Sequence, residues 1–212
     1  MKLSCVNFLK FAAEVSKLGA SNTKKIICYD SVGLFSAARV WWMFKVFGHD
    51  NVAVLDGGLK KWLAEGRATH LESTTLNAGN FTSSFRPGMV KSISQVATEN
   101  AQIADARSPT RFRGEEQEPR PGVKPGHMPN AKNVHYATLL NADGTLKSNP
   151  ELAKTFAAAG IDVTQPITTS CGSGVTAAIL TLALTELGAS QHALYDGSWA
   201  EWGASGREIA LG

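Results

Sequence analysis

The stretch Thr169 to Ala177, T-S-C-G-S-G-V-T-A, places one cysteine between an apolar β-like run and the start of a long apolar helix. Ile167 to Ser170 is predicted to form the incoming strand. Gly172 and Gly174 let the backbone curl tightly, so that the following amides can turn towards the sulfur of Cys171. The positive end of the helix dipole points at the same place. This pattern favours a thiolate and predicts that Cys171 is a nucleophile.

An internal repeat extends outward from this stretch. With one deletion, the matched pairs are Ile26 with Ile167, Gly33 with Gly174, Ala37 with Ala178, Asp56 with Asp196 and Trp62 with Trp202. Each copy has the order helix, strand, glycine-containing loop, long helix, strand and short helix, which predicts a parallel sheet covered on both faces by helices. Asp30 stands where Cys171 stands in the second copy. The first copy is therefore predicted to lack a nucleophile.

Two motifs together carry a family resemblance. C-G-S-G-V-T at 171–176, followed by Y-D-G-S-W-A-E-W at 195–202, resembles the catalytic half of 3-mercaptopyruvate sulfurtransferases of the rhodanese superfamily. The resemblance implies α/β, rhodanese-like domains in tandem, each with a central parallel sheet flanked by helices. It further implies that a sulfane sulfur moves from 3-mercaptopyruvate, or thiosulfate, to a thiol or cyanide through a cysteine persulfide in the second domain.

The domain organisation follows from the repeat and the resemblance. We expect a partial, catalytically inactive rhodanese-like domain at 1–72, a polar linker at 73–88 and a complete catalytic rhodanese-like domain at 89–212. In the first copy, the predicted helices and strands are Phe8 to Leu18, Lys25 to Tyr29, Phe35 to Phe47, Val52 to Leu55 and Leu59 to Glu65. In the second, we expect a strand at Ile103 to Arg107, a loop at Arg111 to Asn130, a helix at Pro150 to Ala159 and a helix opening near Val175. The counterpart of the front of the second copy would precede Met1.

The loop around the cysteine supplies several candidate site residues. Its amides suit both a thiolate and a persulfide anion, and the cradle is assigned to Gly172, Gly174, Val175 and Thr176. Ser173 is a candidate catalytic residue beside Cys171, because its hydroxyl can donate to a substrate carbonyl or pass a proton. Capping of the following helix is an equally weighted role for Ser173, and the two roles are compatible.

The segment R-F-R-G-E-E-Q-E-P-R at 111–120 offers planar cations for a substrate carboxylate. In the family it resembles, two arginines clamp the carboxylate of mercaptopyruvate, and they match Arg111 and Arg120. Arg107 is predicted to pair with a loop carboxylate and to fix a strand end. For His127, in G-H-M-P-N-A, a structural role is favoured over that of a general base. The family's proton relay also uses a His and an Asp from the front of the first domain, and no residues here match them.

Composition limits the other classes of function. The chain has 212 residues, 43% of them hydrophobic and 18% charged, with a net charge of +3 that does not predict a nucleic-acid or membrane partner. Three cysteines, Cys5, Cys28 and Cys171, do not form a disulfide framework and favour a reducing compartment. With no signal peptide or membrane span predicted, we expect an intracellular protein, cytoplasmic or mitochondrial. The resemblance implies no cofactor or metal, a small-molecule sulfur donor, and thioredoxin, glutathione or cyanide as acceptor.

Four alternatives stand beside sulfur transfer from mercaptopyruvate. Thiosulfate sulfurtransferases carry basic residues just after the cysteine, whereas Gly172 and Ser173 stand here and favour mercaptopyruvate. A cysteine phosphatase needs an arginine at the position of Ala177. G-S-G-V-T-A at 172–177 matches a dinucleotide-binding fingerprint, but too few residues follow it for further βα units. A truncated, weakly active or non-catalytic rhodanese-like binding module remains open.

Overall fold

A computed structural model describes residues 8–70 and 76–212. Eight α-helices in these ranges are α1 (Phe8–Lys17), α2 (Ala37–Val46), α3 (Gly58–Ala64), α4 (Ile93–Thr98), α5 (Pro109–Arg113), α6 (Asn149–Ala158), α7 (Ala177–Glu186) and α8 (Ser198–Trp202). Seven strands in the same ranges are β1 (Ile26–Cys28), β2 (Val52–Val54), β3 (Val90–Lys91), β4 (Gln102–Asp105), β5 (Ala131–Asn133), β6 (Ile167–Ser170) and β7 (His192–Tyr195). Two 3₁₀ turns lie at Pro87–Met89 and Tyr136–Leu139.

The larger sheet belongs to the second copy. Its strand order is β3-β7-β6-β4-β5, and every neighbouring pair is parallel. All four residues of the central strand β6 are buried, as expected where helices cover both faces of a parallel sheet. The predicted α/β fold with a central parallel sheet is confirmed, and β6 has the bounds that the sequence predicts.

The first copy contributes a two-stranded parallel sheet. Strands β1 and β2 pair through Ile26 with Val52 and Cys28 with Val54. They are the counterparts of β6 and β7, which in the second copy lie between two further strands, β4 and β3. The described part of the first copy thus reproduces the middle of the larger sheet, in agreement with its predicted incompleteness.

The two long helices after the glycine loops join the copies. Helices α2 and α7 pack against each other, and one hydrophobic core includes Trp41 and Trp42 of α2 together with Ile179 and Leu180 of α7. Helix α7 is buried from Ala177 to Leu184, which explains why its apolar residues surround the whole helix. The two copies therefore share one core, and residues of α2 lie close to the loop that precedes α7.

Several short elements differ from the prediction. The segment 111–130, predicted as a loop, begins inside the short helix α5, and α7 begins at Ala177, two residues after Val175. Strands β3 and β5 and helix α4 have no predicted counterpart, because elements of two to six residues are too short to show a clear period. Phe81 in the predicted linker is buried and packs on Phe11 and Phe44. Within the described ranges, no helix combines the length and apolar character needed to cross a bilayer.

Candidate active site

Cys171 follows directly after β6, at the carboxyl edge of the sheet, where α/β proteins place their ligand sites. Its side chain is nearly enclosed, with 1% exposure. The sulfur accepts the backbone N–H of Gly174 at 3.0 Å and that of Ser173 at 3.4 Å. The amides following the cysteine therefore turn inward to Sγ, as the glycine pattern predicts.

The start of α8 holds this loop from behind. The N–H of Cys171 donates to Ser198 Oγ at 3.2 Å, and the Ser198 hydroxyl donates to the carbonyl of Tyr195 at 2.8 Å. The N–H of Trp199 donates to the carbonyl of Cys171 at 2.9 Å. Thus the second motif, Y-D-G-S-W-A-E-W, anchors the backbone of the first one.

Both glycines of the loop are tightly enclosed. Gly174 has φ of +79°, and a Cβ there would lie 2.9 Å from Arg39 Nη1 and 3.1 Å from the carbonyl oxygen of Asp196. A Cβ on Gly172 would lie 3.0 Å from Arg111 Nη2. A larger residue at position 174 would combine backbone strain with a clash, so the close approach of two cations to the loop depends on these glycines.

Arg111 reaches the loop from α5. Ser108 caps this helix by accepting the N–H of Arg111 at 3.4 Å, and Pro109 occupies its first position, a common arrangement at helix starts. The guanidinium of Arg111 binds Glu118 at 2.5 Å, and its side chain is 26% exposed, whereas that of Glu118 is 4% exposed. Arg111 is thereby held against Gly172 with part of its surface open.

Arg120 reaches the same peptide from the following loop. Its Nη1 donates to the carbonyl of Gly172 at 3.3 Å, and its side chain is exposed. The two arginines predicted to act together thus meet beside Gly172, the residue after the cysteine. Glu118, which the sequence does not single out, orients one of them.

Arg107 forms the buried base of this arginine cluster. It binds Asp105 at 2.8 Å and Glu118 at 3.0 Å, and it lies 4.5 Å from the ring centroid of Trp199. Its Nη2 also donates to the carbonyl of Gly126 at 2.8 Å. Arg107 therefore pairs with a loop carboxylate and fixes the end of β4, as predicted, while Glu118 connects it to Arg111.

His127 is enclosed by its own neighbours. Its ring stacks on Phe112 with centroids 3.8 Å apart, and Nδ1 lies 2.8 Å from the carbonyl of Phe112. Its backbone exchanges two hydrogen bonds with Ala210, each 2.9 Å long. These contacts match the structural role favoured for His127.

Ser173 and Thr176 occupy opposite ends of the loop. Ser173 is exposed, and the N-cap residue of α7 is Thr176, so the helix-capping role considered for Ser173 is wrong. Thr176 makes no side-chain capping hydrogen bond. Ser173 thus lies beside the sulfur through its own amide, and its side chain is exposed.

The corresponding loop of the first copy is occupied by a carboxylate. Asp30 Oδ1 accepts the amides of Val32 and Gly33 at 2.9 and 3.0 Å. Oδ2 accepts three more, from Phe35, Ser36 and Ala37, each at 2.9 Å. Burial raises the pKa of the Asp30 carboxyl, but these amide hydrogen bonds together outweigh burial and lower it. The first copy therefore has an anion cradle that its own side chain fills.

Arg39 of α2 is a site residue that the sequence prediction missed. It crosses from the first copy to bind the carbonyl of Gly174 at 3.2 Å and the carboxylate of Asp196 at 2.5 Å. A detectable signal was present, since Arg39 aligns with the apolar Leu180 in the otherwise similar second copy. Burial raises the pKa of the Cys28 thiol to about 11, which leaves Cys171 as the reactive candidate of these two.

In 8–70 and 76–212, no group of three or more His, Cys, Asp or Glu residues is arranged to hold a metal.

Comparison with protein families decides the identity of the fold. The model of the rhodanese-like domain matches residues 2–65 and 92–205. The chain belongs to the rhodanese family. Both copies of the repeat lie within the matched residues, which confirms the resemblance seen in the sequence.

Relatives within the rhodanese family include named sulfurtransferases. The chain is 43% identical to thiosulfate/3-mercaptopyruvate sulfurtransferase 2 of Arabidopsis thaliana, with 91% of this chain and 64% of that protein covered. It is also 43% identical to 3-mercaptopyruvate sulfurtransferase of Escherichia coli K12, with 92% and 70% covered. Thiosulfate sulfurtransferase of Gallus gallus is 37% identical, with 91% and 68% covered.

A solved rhodanese structure agrees with these relatives. SseA from Escherichia coli, described as a 3-mercaptopyruvate sulfotransferase, superposes with a TM-score of 0.79 at 39% identity, covering 89% of this chain and 72% of that one. The chain thus spans roughly two thirds of the lengths of the sulfurtransferases to which it is similar.

Proposed function

We propose that this rhodanese is a sulfurtransferase that takes a sulfane sulfur from 3-mercaptopyruvate onto Cys171 and passes it to a thiol or cyanide acceptor. The observation that supports it most is the cradle, in which two amides bind Sγ at 3.0 and 3.4 Å beside the two arginines. The relatives named for this reaction support the same activity.

The first half-reaction needs no external oxidant or cofactor. The Cys171 thiolate attacks the sulfur of mercaptopyruvate, an S–S bond forms, and the substrate C–S bond breaks with its electron pair moving to carbon. The resulting enolate carbon takes the proton that was on the substrate sulfur, which gives pyruvate and an enzyme persulfide anion. Ser173, at the mouth of the loop, is suited to relay that proton.

The Asp30 loop suggests how the persulfide is held. Its Oδ1 uses the amides that correspond to those of Ser173 and Gly174, which bind Sγ of Cys171. Its Oδ2 uses three amides whose counterparts belong to Thr176, Ala177 and Ala178. An outer sulfur bonded to Sγ would occupy the place of Oδ2, at the start of α7, where backbone N–H groups stabilise an anion.

Arg111 and Arg120 are proposed to clamp the substrate carboxylate. Both approach Gly172, so a donor whose sulfur lies at Sγ would have its carboxylate within their reach. Gly172 and Ser173 carry no charge, which favours mercaptopyruvate over the dianion thiosulfate. Thiosulfate is retained as a second donor, because several of the similar proteins carry it in their names.

In the second half-reaction an acceptor thiolate attacks the outer sulfur and Cys171 leaves as the thiolate. Thioredoxin, glutathione and cyanide are the proposed acceptors. A reducing compartment, cytoplasm or mitochondrion, suits them, and one similar protein of Arabidopsis thaliana is named as mitochondrial. The division into a partial domain at 1–72, a linker at 73–88 and a catalytic domain at 89–212 accompanies this proposal.

Intact-protein mass spectrometry tests the reaction. After incubation with 3-mercaptopyruvate, we expect the mass of one added sulfur together with released pyruvate, and neither in Cys171→Ser. The added sulfur should disappear when glutathione or cyanide is supplied. Modification on Cys5 or Cys28 would refute the assignment of Cys171. A protein that takes up no sulfur at all would favour the alternative of a non-catalytic rhodanese-like binding module.

A further inference from the structure

One cation beside the cysteine loop comes from the other copy of the repeat. Arg39 Nη2 binds Asp196 at 2.5 Å, while its Nη1 donates to the carbonyl of Gly174 at 3.2 Å. The guanidinium lies 4.5 Å from the ring centroid of Trp42, a fully buried residue. The side chains of Arg39 and Asp196 are only 11% and 6% exposed, so this arginine is fixed in one place from three directions.

The internal repeat shows that this contact is specific to the cysteine loop. Position 39 aligns with Leu180 of α7, which is fully buried in the shared apolar core. The loop with Cys171 therefore receives an arginine from the opposite copy, while the equivalent helix position of the second copy carries an apolar side chain. The two copies thus differ at both aligned positions: Arg39 against Leu180 in the helix, and Asp30 against Cys171 in the loop.

We infer that Arg39 is a positioning residue for the cysteine loop, which fixes the peptide between Gly174 and Val175 so that the amides of the loop face the sulfur. This inference rests on the function proposed for Cys171. It assigns to the first copy a direct part in the active site of the second.

The physical reason is that the backbone rotates easily at a glycine. Gly174 has φ of +79°, and glycine adopts positive and negative φ with similar ease, so the peptides on either side of it can rotate at low cost. In a trans peptide the carbonyl and the N–H point in opposite directions. Because Arg39 binds the carbonyl of Gly174, it restricts rotation of the peptide between Gly174 and Val175, directly after the Gly174 N–H that lies 3.0 Å from Sγ.

The charge of Arg39 explains how it can occupy this position. A guanidinium remains protonated at any working pH and is weakly hydrated, so it can lie in a nearly enclosed site. Its charge is paired with the Asp196 carboxylate at 2.5 Å, so the pair adds little net charge beside the loop. A thiolate or persulfide at Cys171 is therefore stabilised by the amides of the loop, whose conformation Arg39 helps to fix.

The test uses Arg39→Met, which keeps a stem on Trp42 but removes the charge and both hydrogen bonds. Because this change leaves the enclosed Asp196 carboxylate without its arginine, the double variant Arg39→Met with Asp196→Asn is made in parallel to preserve folding. Lys61→Ala is the matched control, since it breaks the ion pair between Lys61 and Asp143, another contact between the copies, 3.0 Å long and apart from the cysteine loop.

Two readouts separate positioning from general stability. The rate of alkylation of Cys171 by iodoacetamide, assigned by peptide mass spectrometry, should fall about 5-fold in both Met variants and stay unchanged in Lys61→Ala. With mercaptopyruvate, kcat should fall about 10-fold while KM changes less than about twofold. Arg39→Lys should recover part of the alkylation rate, because one ammonium cannot make both contacts of the fork.

The role of Arg39 would be overturned if both Met variants kept the wild-type alkylation rate and kcat. It would also be overturned if Lys61→Ala lost as much as the Met variants do. A change in KM alone would also contradict it. Failure of the proposed function is a separate outcome: the wild-type protein would then take up no sulfur, while the alkylation rates would still report whether Arg39 shapes the loop around Cys171.

Discussion

The loops at Asp30 and Cys171 are two versions of one backbone device. In the first, five amides surround a permanent carboxylate. In the second, two of the equivalent amides bind a sulfur at 3.0 and 3.4 Å. The difference lies in what fills the cradle, since a carboxylate places two oxygens where a cysteine places one sulfur.

This comparison explains how a repeat can become one active site. The Asp30 loop satisfies its own amides, so it holds the chain but offers no room to a second anion. The Cys171 loop leaves the position of the outer oxygen to a transferred atom. The surrounding residues differ between the two loops as well, because three arginines contact the second loop: Arg111, Arg120 and Arg39.

The largest expected effect comes from making the two loops alike. In Cys171→Asp, the new carboxylate should accept the amides of the cradle as Asp30 does, and sulfur transfer should be lost by about three orders of magnitude or more because no nucleophile remains. Stability at pH 7 should rise by about 1–3 kcal/mol through the charged hydrogen bonds. Urea denaturation and pyruvate release measure both quantities.

Cys171→Ser serves as the control for this exchange, since it removes the nucleophile without adding an anion. It should be equally inactive but no more stable than the wild-type protein. If Cys171→Asp is less stable than Cys171→Ser, the two cradles are not equivalent and the placement of the outer sulfur inferred from Asp30 is wrong.

The sequence predicts the cradle well because its signals are local. A strand, two glycines and an apolar helix within a few residues determine the loop, and the repeat adds the parallel order of the strands. Strands β3 and β5 escape prediction because they are two or three residues long and lie at the sheet edges. Helix α5 escapes because its five residues run into a segment rich in Pro and Gly.

The contact of Arg39 illustrates a different limit. It joins residues that are 135 positions apart, and its geometry is set by the packing of α2 on α7. The difference between Arg39 and Leu180 marks position 39 as unusual, but no local pattern reveals which residues Arg39 binds. The role of Glu118 is hidden in a similar way, because three arginines compete for the carboxylates in one charged loop and only the fold shows that Glu118 is 4% exposed and binds Arg107 and Arg111.

A smaller effect is expected from removing Arg111 or Arg120, the two arginines that meet the cysteine loop beside Gly172. Removing the guanidinium in Arg120→Ala should lower kcat/KM for mercaptopyruvate about 10- to 150-fold, the equivalent of about 1.5–3 kcal/mol for a charge-assisted contact. Arg111→Ala should lose at least as much and also stability, because Glu118 loses a partner.

Donor choice makes this prediction specific. The loss should be larger with mercaptopyruvate than with thiosulfate, which has no carboxylate, and Arg113→Ala is the control because Arg113 pairs with the exposed Glu115 at 2.6 Å. Equal losses on both donors would mean that Arg111 and Arg120 only shape the loop.

The smallest expected effect concerns the first loop alone. In Asp30→Asn, an NH₂ group replaces one oxygen and faces amide donors, so stability at pH 7 should fall by about 1–3 kcal/mol.

The carboxyl of Asp30 has a lowered pKa in the folded protein, so its contribution to stability is present above the unfolded pKa of about 3.9 and is lost as the pH falls through the folded value. The gap between wild type and Asp30→Asn in urea denaturation should therefore be constant near neutral pH and shrink below about pH 4. Asp162→Asn is the matched control, since Asp162 accepts the Thr164 amide at 2.9 Å in an exposed turn and should change stability much less than Asp30→Asn does. A gap that stays constant into acid would mean that the five amides do not favour the charged form, and the comparison between a filled and an open anion cradle would lose its electrostatic basis.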